Sequence, residues 1–402
     1  MTDKAKPNAG LPVVALKTGG EKRLQMGHPW IYSNEIEMTA REKALAPGSL
    51  VTLVKHGNQP VGLFLFNPNS LIAARLLTRD PNAEINARFF EKRLGRALAL
   101  RNRLIGLPYY RWAHAEADGL PGCVIDRFGD VVVVHATSAG MERLAEPLVA
   151  AIDKLVAPKA ILLRGEGPAR QMEGVEAFSR TVKGEIDGPV EILENGAKFL
   201  TDPREGQKTG WFFDQRDNRA LVARFAKDQT VLDLYSYMGG FGVQAAVGGA
   251  HEVTMVDRSE AALAMAKKSA ALNGAGAQVT TEKGEVFAVL EQLGQSKRRF
   301  GIVIADPPAF VKSKKDFHQG GKAYRKLARL SAQTVEPGGL MFIASCSHNM
   351  PAEEFAQQVA RGVQEAGRTS RQLYALGASP DHPVHPFLPE SAYLKALLLQ
   401  VD

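Results

Sequence analysis

The chain of 402 residues is long enough for two or three domains, and its 45% hydrophobic and 23% charged residues are typical of a globular protein. Its 50 Lys and Arg against 43 Asp and Glu give a net charge of +7, which fits a polyanionic partner or simply a mildly basic protein. Two cysteines exclude a disulfide framework and a Cys-based zinc site, and no apolar run is long enough to span a membrane. Residues 1–10 lack the apolar core of a signal peptide, so we expect a reducing, cytoplasmic location without membrane or metal.

The first segment, residues 1–77, is predicted to be rich in β-structure. Val51–Val54 and Val61–Phe66 are apolar, and the residues between them include a Gly and a Pro, which is typical of a β-hairpin. Residues 1–80 contain ten Lys and Arg against six Asp and Glu. This surplus fits a nucleic-acid contact and an ordinary solvated surface equally well.

The second segment, residues 78–187, is predicted to be an α+β unit. Residues 85–105 have apolar side chains at helical spacing, and their other faces carry six Arg or Lys, which is typical of a solvated helix. Cys123 lies in an apolar strand and is expected in the core. The remaining elements are strands at 122–126, 130–136 and 160–164 and a helix at 141–155.

In the third segment, residues 188–402, predicted strands and helices alternate, which indicates an α/β fold with a mostly parallel sheet. The strands are predicted at 230–235, 252–257, 277–282, 300–305, 339–345 and 393–401, with helices notably at 259–272 and 322–335.

A nucleoside site is predicted at the carboxyl ends of the first three of these strands. Its residues are Asp233, Tyr235, Gly239, Gly240, Asp257 and Glu285. The glycines let the backbone approach a ligand, and a carboxylate at the end of the second strand can accept hydrogen bonds from ribose hydroxyls. A tight strand–helix turn is the alternative for the glycines alone, but acidic residues at three successive strand ends favour a ligand. The spaced glycines of a dinucleotide site are absent, and acidic and aromatic walls suit a cationic sulfonium.

The fourth and fifth predicted strands end in residues that could act on a substrate. Asp306 is followed by Pro307 and Pro308, which form a rigid loop able to aim a carboxylate at a base. Cys346 follows the fifth strand and would lie at the same edge of the sheet. A buried structural residue is the alternative for both side chains.

These motifs resemble the large-subunit ribosomal RNA methyltransferase I family of bacterial 5-methylcytidine enzymes over essentially the whole chain. The matching segments are Gly27–Ile31, Asp118–Arg127, Lys208–Arg216, Asp233–Gly242, Asp306–Phe310, Lys312–Lys314, Ser345–His348, Asp381–Pro383 and Tyr393–Lys395. The resemblance implies a PUA-like RNA-binding domain (1–77), a central α+β domain (78–187) and a class I, Rossmann-like methyltransferase domain (188–402). Glu285 departs from the family's Asp, and Asn349 stands where a second His is common.

The resemblance implies S-adenosyl-L-methionine as cofactor and ribosomal RNA as partner, in rRNA processing. Asp214, Gln215 and Arg216 would join the glycine loop and Asp306 in holding the cofactor. The implied reaction forms 5-methylcytidine in 23S ribosomal RNA, on a cytosine that is single-stranded or flipped out. Cys346 would add covalently to the base, and Asp306 would hold it.

Residues 312–329 contain seven Lys and Arg and one acidic residue, Asp316. Lys312, Lys314 and Lys315 are therefore predicted to bind RNA phosphates. Two alternatives stay open: a methyltransferase for an exocyclic amine or another RNA position, and a non-catalytic RNA-binding assembly factor. A homodimer is compatible with the sequence.

Overall fold

The computed structural model describes residues 10–206 and 209–402. The expectation about the N-terminus therefore falls almost wholly outside the described residues, as does Lys208 of the Lys208–Arg216 motif. The chain forms two compact units. The first comprises the described residues of Met1–Gly188, Pro203–Thr209 and Asp381–Pro389, and the second comprises Pro189–Asp202, Gly210–Pro380 and Glu390–Asp402. Within the described ranges, no helix has both the length and the apolar character needed to cross a membrane.

The N-terminal part of the first unit is a five-stranded sheet of order β1-β3-β4-β5-β2. Its elements are β1 (Val13–Ala15), α1 (Lys22–Gln25), β2 (Trp30–Ile31), α2 (Ala40–Lys43), β3 (Ser49–Lys55), β4 (Gln59–Phe66) and β5 (Ala74–Thr78). β3 and β4 are the predicted hairpin, antiparallel with Val51 opposite Phe64. Its apolar side chains are buried in a core that includes Leu53, Phe64 and Phe66, and this burial fixes the register of the strands.

The rest of the first unit is a second five-stranded sheet, of order β10-β9-β8-β7-β6, with helices packed on it. Its elements are α3 (Ala87–Leu104), β6 (Tyr109–His114), β7 (Cys123–Phe128), β8 (Val131–Ala136), α4 (Ala139–Arg143), α5 (Ala145–Val156), β9 (Ala160–Gly165), α6 (Pro168–Met172) and β10 (Phe178–Lys183). Cys123 is fully buried here, as predicted. The helix predicted at 141–155 is instead two helices that meet at Leu144.

Two cations of α3 are not on the solvated face that the sequence predicted: Arg93, which donates to the carbonyls of Leu77 and Gly119, and Arg101. Arg101 is fully buried, and its guanidinium donates to both carboxylate oxygens of Asp118 at 2.8 and 2.7 Å. It also donates to the carbonyl of Asp381 at 2.9 Å. A buried charge is tolerated only with such pairing, so Arg101 is a structural residue and the exposed cations of the helix are Arg88, Lys92, Arg96 and Arg103.

The predicted boundary at residue 77 falls inside the first unit. Arg75 of β5 donates to Glu116 at 3.1 Å and to Glu173 at 3.3 Å, so polar contacts join the two sheets. The boundaries of the first two predicted domains therefore stay predictions.

The second unit is built on a seven-stranded sheet of order β15-β14-β13-β16-β17-β19-β18. Its elements are β11 (Val190–Glu194), β12 (Ala197–Thr201), α7 (Arg216–Ala223), β13 (Thr230–Leu234), α8 (Gly240–Val247), β14 (Glu252–Asp257), α9 (Glu260–Leu272), β15 (Val279–Lys283), α10 (Val286–Ser296), β16 (Phe300–Ala305), α11 (Phe317–Thr334), β17 (Val335–Ser345), α12 (Ala352–Glu365), β18 (Ser370–Leu376) and β19 (Lys395–Val401). β11 and β12 form a separate hairpin.

The first five strands of this sheet are parallel, and β19 runs antiparallel to both of its neighbours. This confirms the predicted mostly parallel α/β fold. The order of the strands reverses between β13 and β16, and open parallel sheets bind ligands at the carboxyl ends beside such a switch point. The fold therefore directs attention to the loops after β13, β14, β16 and β17.

Candidate active site

The loop after β13, residues 235–242, is called the glycine loop below. Tyr235 and Tyr237 have φ values of +59° and +48°, and Gly239 has +77°. Residues with side chains seldom adopt this left-handed conformation, which costs on the order of 1–3 kcal/mol each. Such strain is concentrated at ligand sites, where the surrounding structure holds the backbone in place.

The glycine loop fits closely against its neighbours. A Cβ atom on Gly242 would lie 2.7 Å from the side chain of Met255, and one on Gly240 would lie 2.6 Å from Nε of Arg219. A Cβ atom on Gly239 would lie 2.8 Å from Cβ of Ala266. The loop therefore requires glycine on its inner side as well as for its turn.

Asp233 lies behind the glycine loop. Its side chain is buried, and Oδ2 accepts a hydrogen bond from the amide of Gly242 at 2.7 Å. Burial raises the pKa of Asp233 to about 8; the amide of Gly242 opposes this, while the charge of Asp306 adds to it. Asp233 thus stabilises the conformation of the glycine loop, and its predicted contact with a cofactor stays a prediction.

Asp257 ends β14 and stands beside the same loop. Its two carboxylate oxygens accept hydrogen bonds from the amides of Tyr237 at 2.9 Å and Ser259 at 2.8 Å. The carboxylate is therefore fixed in orientation, and each oxygen keeps a lone pair for a ligand.

Glu285 lies two residues beyond the end of β15, at the N-cap of α10, rather than at the strand end that the sequence predicted. Its side chain is exposed. Burial raises the pKa of Tyr235, and the charge of Glu285 raises it further. The amide of the preceding Gly284 donates to the carbonyl of Asp257 at 3.1 Å, which joins the start of α10 to the end of β14. The structure thus brings Glu285 to the glycine loop although its strand ends earlier.

Asp306 and Cys346 follow the last residues of β16 and β17, which are adjacent parallel strands. β16 also pairs with β13, so the two residues lie at the same edge of the sheet as the glycine loop. Both side chains are half-buried. The predicted nucleophile and carboxylate are therefore placed at the predicted cofactor edge.

Tyr324 of α11 connects the loops that carry these two residues. It is fully buried, and its hydroxyl lies 2.8 Å from the hydroxyls of both Ser345 and Ser347, which flank Cys346. The hydroxyl of Ser347 also accepts a hydrogen bond from the amide of Val311, at 3.1 Å, on the Asp306 side. These contacts hold the loops after β16 and β17 together, and no pattern in the sequence predicts them.

Lys395, the first residue of β19, supports the segment after Cys346. Its Nζ donates to the carbonyls of Ser347 at 2.6 Å and Met350 at 2.7 Å. Burial lowers the pKa of Lys395 to about 8, and the charge of Cys346 acts in the opposite direction. In the sequence, Lys395 stands out only as part of the Tyr393–Lys395 motif, which predicts no role for it.

Asp214, Gln215 and Arg216 are buried at the start of α7. Tyr393 donates to Oδ2 of Asp214 at 2.6 Å, and the ring of Tyr393 lies 5.2 Å from that of His348. The segment is thereby joined to residues that follow Cys346. Its predicted role at the cofactor stays a prediction.

Lys312, Lys314 and Lys315 are exposed beside this edge, and in the part of the chain that is described none of them forms an ion pair. Asn349 donates to the carbonyl of Lys312 at 3.1 Å, which ties the basic loop to the segment after Cys346. Other cations of the same run are engaged elsewhere, since Arg325 pairs with Glu365 and Lys326 pairs with Glu291. Lys312, Lys314 and Lys315 are therefore available to phosphates at the site, and the exposed Lys322 of the same run also has no ion pair among the described residues.

The residues at the glycine loop fit a nucleoside cofactor. The hydroxyl of Ser236 is buried, and the described residues provide no hydrogen-bond partner for it. An unsatisfied buried hydroxyl is costly, so a polar ligand would stabilise it. Together with the oriented carboxylate of Asp257, it offers a cofactor both a donor and acceptors.

Residues 14–79 match the PUA-like domain family, and residues 175–400 match the S-adenosylmethionine-dependent methyltransferase family. A ribosomal RNA large subunit methyltransferase I from Pseudoalteromonas atlantica is 37% identical over 396 residues, which cover 96% of this chain and 99% of the relative. A SAM-dependent methyltransferase from Streptococcus mutans has a TM-score of 0.81 at 23% identity and covers 97% of this chain and 100% of that one. A methyltransferase complexed with SAH has the same TM-score and identity, over 97% of this chain and 99% of the other. The two structural likenesses show the fold, and the predicted combination of a PUA-like and a class I methyltransferase domain is confirmed.

Proposed function

Because the chain belongs to the ribosomal RNA large subunit methyltransferase I family, we propose that it methylates carbon 5 of a cytosine in 23S ribosomal RNA. It is an S-adenosyl-L-methionine-dependent methyltransferase of large-subunit ribosomal RNA. The observation that carries the finer proposal is the placement of Cys346 and Asp306 at the ends of adjacent strands, beside the glycine loop.

Carbon 5 of cytosine needs activation before it can accept a methyl group. The thiolate of Cys346 would form a bond to carbon 6, and the electron pair of the 5,6 double bond would move to carbon 5. Asp306 would hold the amino group and ring nitrogen of the base, where charge changes as the adduct forms. After methylation, a base removes the carbon 5 proton, and the electron pair left behind restores the double bond and expels the thiolate.

The cofactor would be held by the glycine loop with Tyr235, Gly239 and Gly240, by Asp257 and Glu285, and by the Asp214–Arg216 segment. When bound, S-adenosyl-L-methionine supplies an electrophilic methyl group. The chain's own residues orient the base, provide the nucleophile and shield the reacting atoms from water. Both cysteines are free thiols, as this chemistry requires of Cys346, and we place the reaction in the reducing cytoplasm.

The target cytosine must be single-stranded or flipped out of a helix to reach the Cys346 thiol. Mass-spectrometric mapping of large-subunit ribosomal RNA from cells with and without the protein tests the proposal. We expect one 5-methylcytidine to be lost on deletion and to return with the intact gene. Loss of a methyl group from an exocyclic amine, with all 5-methylcytidines retained, would replace carbon 5 as the target.

Replacement of Asp257 by alanine is expected to weaken S-adenosyl-L-methionine binding about tenfold or more. The change removes an oriented acceptor from the ribose hydroxyls and leaves the amides of Tyr237 and Ser259 without their partner. Titration calorimetry on the full-length protein measures the affinity. Glu252→Ala, at the opposite end of the same strand, is the matched control and should bind normally. Unchanged affinity of Asp257→Ala would remove this residue from the cofactor site.

Affinity for ribosomal RNA fragments is expected to fall steeply with salt, because each phosphate neutralised by a cation releases counterions. Replacing Lys312, Lys314 and Lys315 by alanine should weaken binding and flatten the slope of log affinity against log salt by about 2, at roughly 0.7 per phosphate for single strands. Fluorescence anisotropy at about 50–300 mM salt measures the affinity. The control replaces Lys227, Lys267 and Lys268, which are exposed on the same unit. Equal slopes for both triple variants would exclude the basic loop from the phosphate contact.

A further inference from the structure

The side chain of Lys395, at the start of β19, is a half-buried cation held by backbone carbonyls. Among the residues of 10–206 and 209–402, it forms no ion pair, and its only hydrogen bonds go to two backbone carbonyls. An ammonium group has three donors, so one N–H is left without an acceptor in the described part of the chain. Burial of a cation without a counter-charge is unfavourable, and such positions are usually kept for a function.

Both carbonyls belong to the segment that follows Cys346. Ser347 and Met350 are themselves buried and are joined by a turn, in which the amide of Met350 donates to the carbonyl of Ser347 at 3.2 Å. Lys395 lies opposite Ser345 in the antiparallel pair of β17 and β19. Its backbone position is therefore fixed one residue away from Cys346, and its side chain holds the turn that the thiol precedes.

From this arrangement we propose that Lys395 is a positioning residue for the methyl transfer: it holds the Cys346 loop, residues 346–350, and acts as counter-cation to the Cys346 thiolate. The proposal rests on the proposed function, in which Cys346 is the nucleophile. The thiolate is the reactive form of a cysteine, and a nearby lysine increases its population at neutral pH. The charge of Cys346 raises the pKa of Lys395 against the effect of burial, as a nearby anion does.

The loop geometry and the charge make separate contributions, and three variants distinguish them. Lys395→Gln keeps a donor for the loop carbonyls without the charge, Lys395→Arg keeps both, and Lys395→Met removes both while preserving a long apolar stem. Lys227→Met removes an exposed lysine that precedes β13 and serves as the charge control. Thermal unfolding of each protein establishes that it is folded.

The test follows alkylation of Cys346 by iodoacetamide from pH 6 to 10, roughly the range in which thiols titrate, with intact-protein and peptide mass spectrometry. Cys123 does not interfere, because burial raises the pKa of its thiol to about 12. At pH 7, Lys395→Met and Lys395→Gln should react on the order of tenfold more slowly than the wild-type protein, and the difference should vanish near pH 10. Lys395→Arg and Lys227→Met should resemble the wild type. For methyl transfer, Lys395→Gln should lower kcat at pH 7 with little change in KM for RNA.

Identical alkylation profiles for the wild type, Lys395→Gln and Lys395→Met would overturn the proposal, even if Cys346 proves to be the nucleophile. Should Lys395→Met fail to fold, the Lys395→Gln profile decides the question alone. The proposed function fails separately if Lys395 proves to lower the pKa of the Cys346 thiol but Cys346→Ala still methylates RNA.

Discussion

Replacing Cys346 by alanine is expected to lower methyl transfer to large-subunit ribosomal RNA by at least about 10³-fold, since removal of a covalent nucleophile leaves only binding and orientation. Folding and cofactor affinity should be retained, because Cys346 is half-buried at the end of β17 and lies outside the glycine loop. Incorporation of labelled methyl groups into RNA from cells that lack the protein measures the rate. Calorimetric cofactor binding and thermal unfolding show that the rest of the site is intact.

The second cysteine provides the matched control. Cys123 is fully buried in β7 of the first unit, so Cys123→Ala should cost on the order of 1 kcal/mol of stability and leave the rate nearly unchanged. With 5-fluorocytidine in the RNA, carbon 5 has no removable proton, and the wild type should stall as a covalent complex on a denaturing gel. Near wild-type methylation by Cys346→Ala would rule out the covalent mechanism and favour an exocyclic amine as the target.

The fold of the second unit was predictable because its central strands are buried on both faces. Phe300–Ala305, for example, is buried at every position and reads as a continuous apolar run between helical patterns. β18 was not predicted, since its side chains are almost all exposed at the edge of the sheet and show no apolar alternation. Local pattern thus identifies a strand only where packing imposes one.

The placement of the site was predictable from chain direction alone. Asp257 ends a parallel strand, Asp306 and Cys346 each follow one, and the carboxyl ends of such strands meet at one edge. The supporting contacts were not predictable. Tyr324 reaches Ser347 across 23 residues and Lys395 reaches it across 48, and no local spacing encodes either pair.

The sequence also could not show which side of the glycine loop an acidic residue occupies. Asp233 and Asp257 both stand near the ends of their strands, yet Asp233 is buried against the amide of Gly242 while Asp257 is half-buried. The distinction depends on how α8 packs over β13, which is a tertiary property. Asp233 thus contacts the loop itself, while Asp257 is in addition accessible at its surface, and the cofactor contact of each stays a prediction.

Replacement of Asp306 by asparagine is expected to lower kcat by about 10²-fold or more, with a smaller effect on RNA affinity. Asparagine preserves the size of the side chain and removes the negative charge that would support the base as charge shifts during adduct formation. The amide of Asp306 donates to the carbonyl of Leu234 at 3.5 Å, a backbone contact that asparagine retains. Single-turnover methylation at saturating cofactor isolates the chemical step from binding.

The control is Asp228→Asn, an exposed carboxylate just before β13 whose left-handed backbone, with φ of +61°, accommodates asparagine as readily as aspartate. Its rate should match the wild type. In the carbon 5 mechanism, Asp306→Asn must slow that adduct and the methylation of normal RNA together, because both pass through attack of the Cys346 thiolate on a base that Asp306 holds. Adduct formation by Asp306→Asn at the wild-type rate would therefore show that Asp306 does not activate the base.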